Sequence, residues 1–290
     1  MGFSVNTNVG AMAALQNLNE TSRSMSTVQS RINTGLAVSS TKDDSAAFTI
    51  AQTLRSDVAG LKSVTSSLNR AKSVVDVAVS GAEQISDVLN QMKAKATLAA
   101  DSGIDTKSRD AYNADFTKLR DQIGTIVKSA EFNGTNLLDS TATSGSVTAL
   151  KSLQDGSTAA NWQPDSLSVA NQDLNLGTGT ASGTVLKFGA SSDISSQASA
   201  AAMVQSITDS QDAMGTVLST LGAGSRQIES QLSFTSKLSD VVEAGIGNIV
   251  DADLAKESAK LQGLQVKQQL GVQALSIANQ APQTITSLFR

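Results

Sequence analysis

One stretch of fifty residues decides the fold, residues 50–99, which read IAQTLRSDVAGLKSVTSSLNRAKSVVDVAVSGAEQISDVLNQMKAKATLA. Apolar side chains recur there in two columns at seven-residue spacing, and only Asp57 interrupts them. A repeat of this period keeps one face of a helix against its partners, so the stretch predicts one long helix packed along its length against other helices. The columns are Leu54, Leu61, Leu68, Val75, Ala82, Leu89 and Ala96, and Ile50, Asp57, Val64, Ala71, Ala78, Ile85, Met92 and Ala99.

Two further stretches show the same repeat. After a break at residues 101–103, the pattern predicts a second helix that runs back antiparallel to the first. A third helix is predicted from near Ser199, and the glycines within it lower its helix propensity locally. The repeating positions are Tyr112, Leu119 and Ile126; Phe116, Ile123 and Ala130; and Ile207, Met214, Leu221, Ile228, Thr235 and Val242, with Met203, Val217 and Leu238 on the partner column.

Composition limits both the fold and the chemistry. Aromatic residues make up 3% of the 290 residues and there are two prolines, which favours long helices over a sandwich or barrel. The absence of cysteine and histidine excludes a disulfide framework, a Ser-His-Asp triad and the usual zinc site. A net charge of −4 argues against a nucleic-acid partner. We therefore expect no enzymatic activity, no cofactor and no metal.

Residues 139–198 differ from the rest of the chain. They are rich in Ser, Thr, Gly, Ala and Asn, and they hold the only tryptophan, Trp162. Ser166–Ala170 and Thr184–Phe188 alternate as strands do, and Asn133-Gly134 just before the segment predicts a tight turn. The predicted fold is mostly α: a long antiparallel coiled-coil or helical-bundle rod formed by both termini, with a small β-containing central insertion.

The two ends of the chain are almost free of charge. The last thirty residues carry only Lys267 and Arg290 as charges, and residues 1–40 carry only Glu20, Arg23 and Arg31. At 100° per residue, the apolar residues of the C-terminal helix fall on two opposed faces, which implies two different partners. An apolar stripe along the N-terminal segment makes it the simplest first partner. The faces are Leu261, Leu264, Val272 and Leu275, and Val266, Leu270 and Ile277; the N-terminal stripe is Met12, Leu15, Leu18, Met25, Val28 and Ile32.

The N-terminal thirty residues lack the basic and apolar regions of a cleaved secretory signal, and no apolar run approaches the ~20 residues of a membrane span. We expect no membrane insertion. These absences fit a cytosolic protein, and they also fit export by a route that needs no cleaved leader.

Several motifs together resemble bacterial flagellins. Residues 31–36 (RINTGL) and 42–47 (KDDSAA) look like the N-terminal signature of that family, and residues 131–135 (EFNGT) resemble the turn after its second long helix. The stretches 265–269 and 278–290 are similar to its C-terminal end. The resemblance covers roughly residues 1–138 and 199–290, whereas the central segment shows no match.

The resemblance implies a three-part subunit of a motile extracellular filament. Residues 1–42 with 246–290 would form an inner coiled-coil domain, residues 43–138 with 199–245 a helical rod domain, and residues 139–198 a variable outer lobe or hairpin. It also implies export without a cleaved signal peptide. The implied partners are other flagellin subunits, the flagellar export apparatus and a chaperone, and the hook-associated junction and cap proteins.

The resemblance also places a junction between the inner and rod domains, formed by Arg31, Asn33, Gly35, Asp43 and Asp44. By residue chemistry alone, Asp43-Asp44 is more simply the acidic first turn of a helix capped by Ser39, Ser40 or Thr41 than a metal or acid/base pair.

Some flagellins carry an Arg- and Glu-containing patch that a flagellin-sensing Toll-like receptor recognises. The matching stretch here includes Gln91, Lys93, Ala94 and Lys95 and contains neither Arg nor Glu. The resemblance therefore implies weak activation of that receptor.

Two other functions compete with a filament subunit. A hook–filament junction protein shares the two-ended helical plan, but the match through residues 31–61 favours a flagellin. A membrane-active helix protein would suit the two apolar faces, but interfacial helices carry many Lys or Arg on the polar face, and Lys267 alone is too little.

Overall fold

The computed structural model describes residues 7–141, 146–155 and 164–288. Helices dominate it, as predicted, and the two antiparallel strand pairs are short. The mostly α fold with a small β-containing insertion is thereby confirmed, whereas Trp162 and the terminal Phe289-Arg290 lie outside the described residues. In chain order the elements are α1 (Val9–Thr34), α2 (Ser45–Ala99), α3 (Thr106–Ser129), β1 (Glu131–Phe132), β2 (Thr135–Asn136), β3 (Ser146–Asp155), β4 (Pro164–Ala170), α4 (Gln197–Val250) and α5 (Leu254–Leu288).

The chain divides into two compact units. The terminal unit comprises residues 1–58 and 240–290, and the central unit comprises residues 59–239. In the central unit, every predicted column position of α2 from Leu61 to Ala99 is buried. Phe116 and Ile123 of α3 and the α4 repeat from Ile207 to Ile228 are buried against them. The seven-residue repeat therefore identified buried positions of α2, α3 and α4 in this unit.

Polar contacts show how the helices of the central unit run. The Lys95 ammonium lies 2.8 Å from an Asp115 carboxylate oxygen, so α3 returns antiparallel to α2. The Lys72 ammonium lies 2.8 Å from Glu229, and the Gln211 amide donates to Asn90 at 2.7 Å, so α4 is also antiparallel to α2. The direction of α3 also follows from the short connection between Ala99 and Thr106, whereas the whole central insertion separates α3 from α4.

Some residues at the ends of the predicted columns are exposed and not buried. Ile50 is 53% exposed, and the buried residues at this end of α2 are Ala51 and Val58, which pack with Ile246 and Val250. A straight helix drifts by about 20° per heptad from a strict seven-residue repeat, so the buried line moves to neighbouring residues when the partner changes. Leu238, predicted on a packing column of α4, is 37% exposed in the same way.

Among its described residues, the central insertion contains the β3–β4 hairpin, and one of its two predicted strands is confirmed. Ser166–Ala170 lies within β4, which pairs antiparallel with β3 from Ser146↔Ala170 to Leu150↔Ser166. The prediction of a strand at Thr184–Phe188 is wrong, because these residues form consecutive bends. The alternation there reflects burial of Leu186 and Phe188 in the helical core, which needs no strand ladder.

The turn predicted at Asn133-Gly134 is confirmed. It joins β1 to β2, and both residues have the positive φ that a two-residue hairpin turn of this kind requires, 51° and 77°.

Glycines in the long helices make room for the hairpin. A Cβ on Gly60 would lie 2.6 Å from the Leu153 Cδ2, and one on Gly224 would lie 2.9 Å from the Val169 Cγ2. The hairpin thus rests directly on the backbones of α2 and α4. The glycines that lower helix propensity in the sequence are needed at these positions for close packing.

We expect Gly224→Ala to destabilise the protein and Gly215→Ala, on the same helix, to stabilise it. Gly215 is exposed and no described atom lies within 4 Å of its added Cβ, so alanine gains about 0.5–1 kcal/mol of helix propensity. At position 224 the methyl group meets a β-branched side chain with a stiff χ1, and overpacking of this kind costs about 1–3 kcal/mol. Chemical denaturation measures both; equal stability of the two variants would contradict the close packing.

Candidate functional site

The two ends of the chain pair as antiparallel helices. The Asn8 side-chain amide donates to the Ala278 carbonyl at 2.7 Å, near the start of α1. Further along, a Cβ at Gly271 would lie 3.9 Å from the Leu18 Cβ, and at the other end of the pair an Arg31 nitrogen lies 3.3 Å from Glu257. The pairing expected from two nearly uncharged amphipathic ends is therefore present in the terminal unit.

On α1, a seven-residue repeat faces α5, but it is not the predicted stripe throughout. Met12 is 66% exposed and Leu15 is 49% exposed, so neither belongs to the paired face. Leu18, Met25 and Ile32 are seven residues apart on the face that contacts α5, and the same spacing leads back to Ala11. This face therefore begins with alanine and not with Met12 or Leu15. The residues that are at least partly buried at this spacing are Ala11, Ala14, Leu18, Thr21, Met25, Val28 and Ile32.

On α5, the facing residues follow the same spacing. Leu264 is 9% exposed, whereas Val272, predicted on this face, is 53% exposed at its edge. Small and polar residues fill several facing positions, which lets the two helices approach closely but buries little apolar area. The facing set is Leu261, Leu264, Gln268, Gly271, Leu275 and Ala278, all partly or fully buried.

The second apolar face of α5 is open in the single chain. Val266 is 54% exposed, Leu270 57% and Ile277 69%. On α1, Val9, Met12 and Leu15 are likewise exposed by about half or more. We call these the α5 stripe (Val266, Leu270, Ile277) and the α1 stripe (Val9, Met12, Leu15). Complete burial of a Val or Leu side chain is worth about 1.5–3 kcal/mol, so half of that is still available at each position.

Backbone hydrogen bonds close the connections next to this pair. Gly35 ends α1 with φ 72°, the left-handed conformation that glycine adopts without strain. The Ala37 amide then donates to the Val250 carbonyl at 2.7 Å, and the Ala252 amide donates to the Gly35 carbonyl at 2.8 Å. The predicted junction residues Arg31 and Gly35 therefore lie where α1 ends beside the α4–α5 turn, while Asn33 is exposed.

Asp43 and Asp44 organise the loop that enters α2. The Asp43 carboxylate accepts hydrogen bonds from the Ser39 and Ser40 hydroxyls and from both of their amides, at 3.0–3.1 Å. These bonds, led by the one from the Ser39 hydroxyl, hold the pKa of Asp43 below its ordinary value. Asp44 Oδ1 accepts from the Ala46 and Ala47 amides at 2.9 and 3.0 Å and is the N-cap. The predicted cap at residues 39–41 is wrong, because those serines bind Asp43 instead.

Arg31 and Glu257 form an ion pair within the helix interface. Glu257 is 8% exposed and lies seven residues before Leu264, at a position facing α1. The one contact between them, at 3.3 Å, leaves Arg31 Nε and Glu257 Oε2 buried without a hydrogen-bond partner among the described residues. Each such orphaned atom costs about 1–3 kcal/mol, whereas a favourable charge at a helix end contributes about 0.3–1 kcal/mol.

The residues that match the innate-receptor patch lie on α2 in the central unit, and its lysines contact neighbouring helices. Lys93 donates to the Gln211 side chain at 3.2 Å. Lys95 pairs with Asp115 and lies 5.7 Å from the centre of the Tyr112 ring. Gln91 and Ala94 are exposed.

The described part of the chain contains no group of three or more Asp or Glu side chains placed to hold a metal ion. An open groove of about 580 Å³ between α2 and α3 is lined by Val77, Gly81, Ile126 and Ala130, among others, and its one charged residue, Asp76, pairs with Lys72. None of the described helices is long and apolar enough to span a lipid bilayer.

Terminal helices that pair with each other, with a central segment inserted between them in the sequence, are the plan of a two-ended helical structural protein. Residues 5–143 match the bacterial flagellin N-terminal helical region, and residues 194–289 match the bacterial flagellin C-terminal helical region. Flagellin FljM of Caulobacter vibrioides is 42% identical, over 99% of this chain and 98% of its own. A flagellin of Brucella melitensis is 34% identical, over 99% of both chains. The chain belongs to the bacterial flagellin family.

One solved structure of a flagellar protein shares this architecture. A protein of Vibrio parahaemolyticus described as flagellar hook-associated covers 72% of this chain and all of its own, with a TM-score of 0.55 and 14% identity. At that identity the likeness concerns the fold alone. A crystal structure of Bacillus cereus flagellin covers 57% of this chain and 86% of its own, at 21% identity and a TM-score of 0.46.

The α1–α5 register predicts one efficient cross-link. A Leu18→Cys/Gly271→Cys variant should close an intramolecular disulfide under mild oxidation, because the two Cβ atoms would lie 3.9 Å apart, inside the usual range of about 3.5–4.5 Å. The chain has no cysteine of its own to interfere. Non-reducing electrophoresis of dilute protein reports the closure. Leu18→Cys/Leu270→Cys, with Leu270 on the opposite face, is the control; equal closure there would contradict the register.

Proposed function

We propose that this flagellin polymerises into the swimming filament through the two stripes that the paired terminal helices leave open. The observation that carries the proposal is the α5 stripe, whose residues are more than half exposed on a helix that is already paired on its other face. A surface helix needs one apolar face, and the second is stable only when another chain covers it. Lys267 is the only charge of α5 from Leu261 to its end, so little opposes burial in a filament interior.

The two stripes favour an open polymer over a closed dimer. The α1 stripe and the α5 stripe are different surfaces on different helices, so a contact between them joins unlike patches of two copies. Such a heterologous contact extends indefinitely as a helical filament unless its rotation closes a ring. We propose that the α1 stripe of one subunit packs against the α5 stripe of the next. The other predicted packing residues that face the partner helix hold each subunit's own pair together: Leu18, Met25, Val28, Ile32, Leu261, Leu264 and Leu275.

Within the subunit, we propose the three-part organisation that the family resemblance implies. Residues 1–42 with 246–290 form the inner domain, residues 43–138 with 199–245 form the rod, and residues 139–198 face outward. The junction at Arg31, Asn33, Gly35, Asp43 and Asp44 connects the inner domain to the rod. The backbone bonds of Gly35 and the closed loop around Asp43 support that role, since both stiffen the connection.

Flagellins are structural components of an extracellular filament, and this chain is one of them. We propose that it acts only as a structural subunit and has no catalytic activity. Its route out of the cell is the flagellar export apparatus, with a chaperone and without a cleaved signal peptide. In the filament it meets the hook-associated junction proteins at one end and the cap at the other.

The hook–filament junction alternative has less support. Both flagellin regions match, and relatives named flagellin align along nearly the whole chain. Salt-induced assembly of the purified protein separates the two functions, because a filament subunit grows long filaments, whereas a junction protein adds to a hook and stops.

Leu270→Glu should abolish filament formation seen by electron microscopy while leaving the helix content of the monomer unchanged. The side chain is 57% exposed in the single chain, so a charge there is tolerated until a neighbour buries it without a partner. Thr180→Glu, an equally charged change at an exposed site in the central insertion, should still assemble. Normal filaments from Leu270→Glu would overturn the assignment of the α5 stripe.

We further propose that the patch at Gln91, Lys93, Ala94 and Lys95 activates the flagellin-sensing receptor weakly. It has no Arg or Glu, and its two lysines already bind Gln211 and Asp115 of the same chain. A receptor-reporter cell assay of the purified subunit should show a weak response, and full potency would contradict the proposal.

A further inference from the structure

The turn between β1 and β2 exposes an asparagine whose side chain makes no hydrogen bond. Asn133 and Gly134 are both exposed, and no described atom bonds to the Asn133 side chain or accepts from the Gly134 amide. Every other described asparagine outside a helix donates its side-chain amide to an oxygen atom of another residue. They are Asn8, which donates to Ala278; Asn136, to Val127; Asn171, to Asn136 and Asp139; and Asn175, to Asp139 and Asp173. Asn133 is thus the least restrained of this group.

The residue after Asn133 favours a reaction within the chain. Residues 133–134 form the one Asn-Gly pair in the sequence. Glycine has no Cβ to shield its amide nitrogen, and a Cβ built on Gly134 would have no described atom within 4 Å, so the surroundings are open as well. The asparagines within helices differ, because the backbone amides that follow them donate to the carbonyl four residues earlier. Among the described residues, the side-chain amide and the next backbone amide are both free at this turn alone.

The turn opens without disturbing the core. β1 and β2 pair at two positions only. Glu131 is exposed and Phe132 is 40% exposed, so little apolar area holds β1 in place. Asn133 also has a φ of 51°, a left-handed conformation that is unfavourable for most residues other than glycine. Rotation about the Asn133 backbone, which brings the Gly134 nitrogen to the side chain, therefore needs only a local opening.

We infer that Asn133 is a site of spontaneous deamidation, at which water converts it to aspartate and isoaspartate. The Gly134 nitrogen, on losing its proton to solvent, forms a bond to Cγ of Asn133. The bond from Cγ to the side-chain nitrogen breaks, and this nitrogen takes a proton and leaves as ammonia, which closes a cyclic succinimide. Water then opens the ring at either carbonyl group, giving aspartate or an isoaspartate whose backbone runs through Cγ and is one carbon longer. One water is consumed, one ammonia is released, and nothing is oxidised or reduced.

The two products differ in their effect on the fold. Asp-Gly suits the same two-residue turn as Asn-Gly, so aspartate keeps the turn. Isoaspartate lengthens it, and β2 cannot yield, because Asn136 is 3% exposed, donates to the Val127 carbonyl at 2.7 Å and accepts from the Leu138 amide at 2.8 Å. The added carbon therefore displaces β1 and loosens the last turn of α3, where the Ala130 amide donates to the Ile126 carbonyl.

Tandem mass spectrometry of the purified full-length protein, held folded in warm, mildly alkaline buffer, tests the inference. Replacement of the amide by a carboxyl group should be about ten-fold faster at Asn133 than at Asn171 or Asn175, because hydrogen bonds restrain the other two side chains. An isoaspartyl methyltransferase should label the Asn133 peptide. Conversion at Asn133 no faster than at Asn175 would overturn the inference. So would conversion of Asn133 in a urea-unfolded sample but not in the folded one, because the turn would then protect it.

Two variants separate the chemistry from the mobility of the turn. Gly134→Ala should slow the conversion, although alanine is strained at a φ of 77° and loosens the turn, because its Cβ shields the attacking nitrogen. Asn133→Asp should match fresh wild-type protein in hydrogen exchange over residues 126–132, whereas the isoaspartate form isolated from aged protein should exchange faster there. Faster conversion in Gly134→Ala would contradict the attack by the Gly134 nitrogen, and equal exchange of the isoaspartate form and Asn133→Asp would contradict the displacement of β1.

Discussion

A helix with a seven-residue apolar repeat cannot bury its apolar columns alone, and this constraint shapes the whole molecule. From Leu61 to Ala99, α2 exposes none of its column residues, because α3 and α4 both run antiparallel against it. The central hairpin rests on the same helices where Gly60 and Gly224 remove the Cβ atoms that would block it. The insertion is therefore held by the helices that the repeat defines.

The terminal helices satisfy the same constraint only in part. Within one chain, α1 and α5 bury one face each, and the α1 and α5 stripes stay open. Exposed apolar faces of this kind mark interaction sites, and we propose that a second copy of the chain covers them.

The packing faces of the terminal helices could be predicted from the sequence where a single periodic pattern of apolar residues defines them. The two opposed faces of α5 and its pairing with α1 follow from the positions of Leu261, Leu264, Val266 and Leu270. The phase of α1 was not predictable, because Met12 and Leu15 are more apolar than Ala11 and Ala14 and yet lie outside the interface. Interhelical spacing decides that choice, since small residues allow closer approach, and one sequence alone does not contain the spacing.

The sequence by itself determined the long helices, the antiparallel return of α3, the pairing of the ends and the resemblance to flagellins, because each depends on local periodicity or on a short motif. Tertiary structure decided which residues of α2 are buried near its start, where Ala51 is buried and the column residue Ile50 is exposed. It also decided that Thr184–Phe188 folds without a strand, and that Asp43 gathers the serines that were expected to cap α2. These outcomes depend on contacts between residues distant in the chain or on competition among nearby donors, and neither leaves a periodic signal in the sequence.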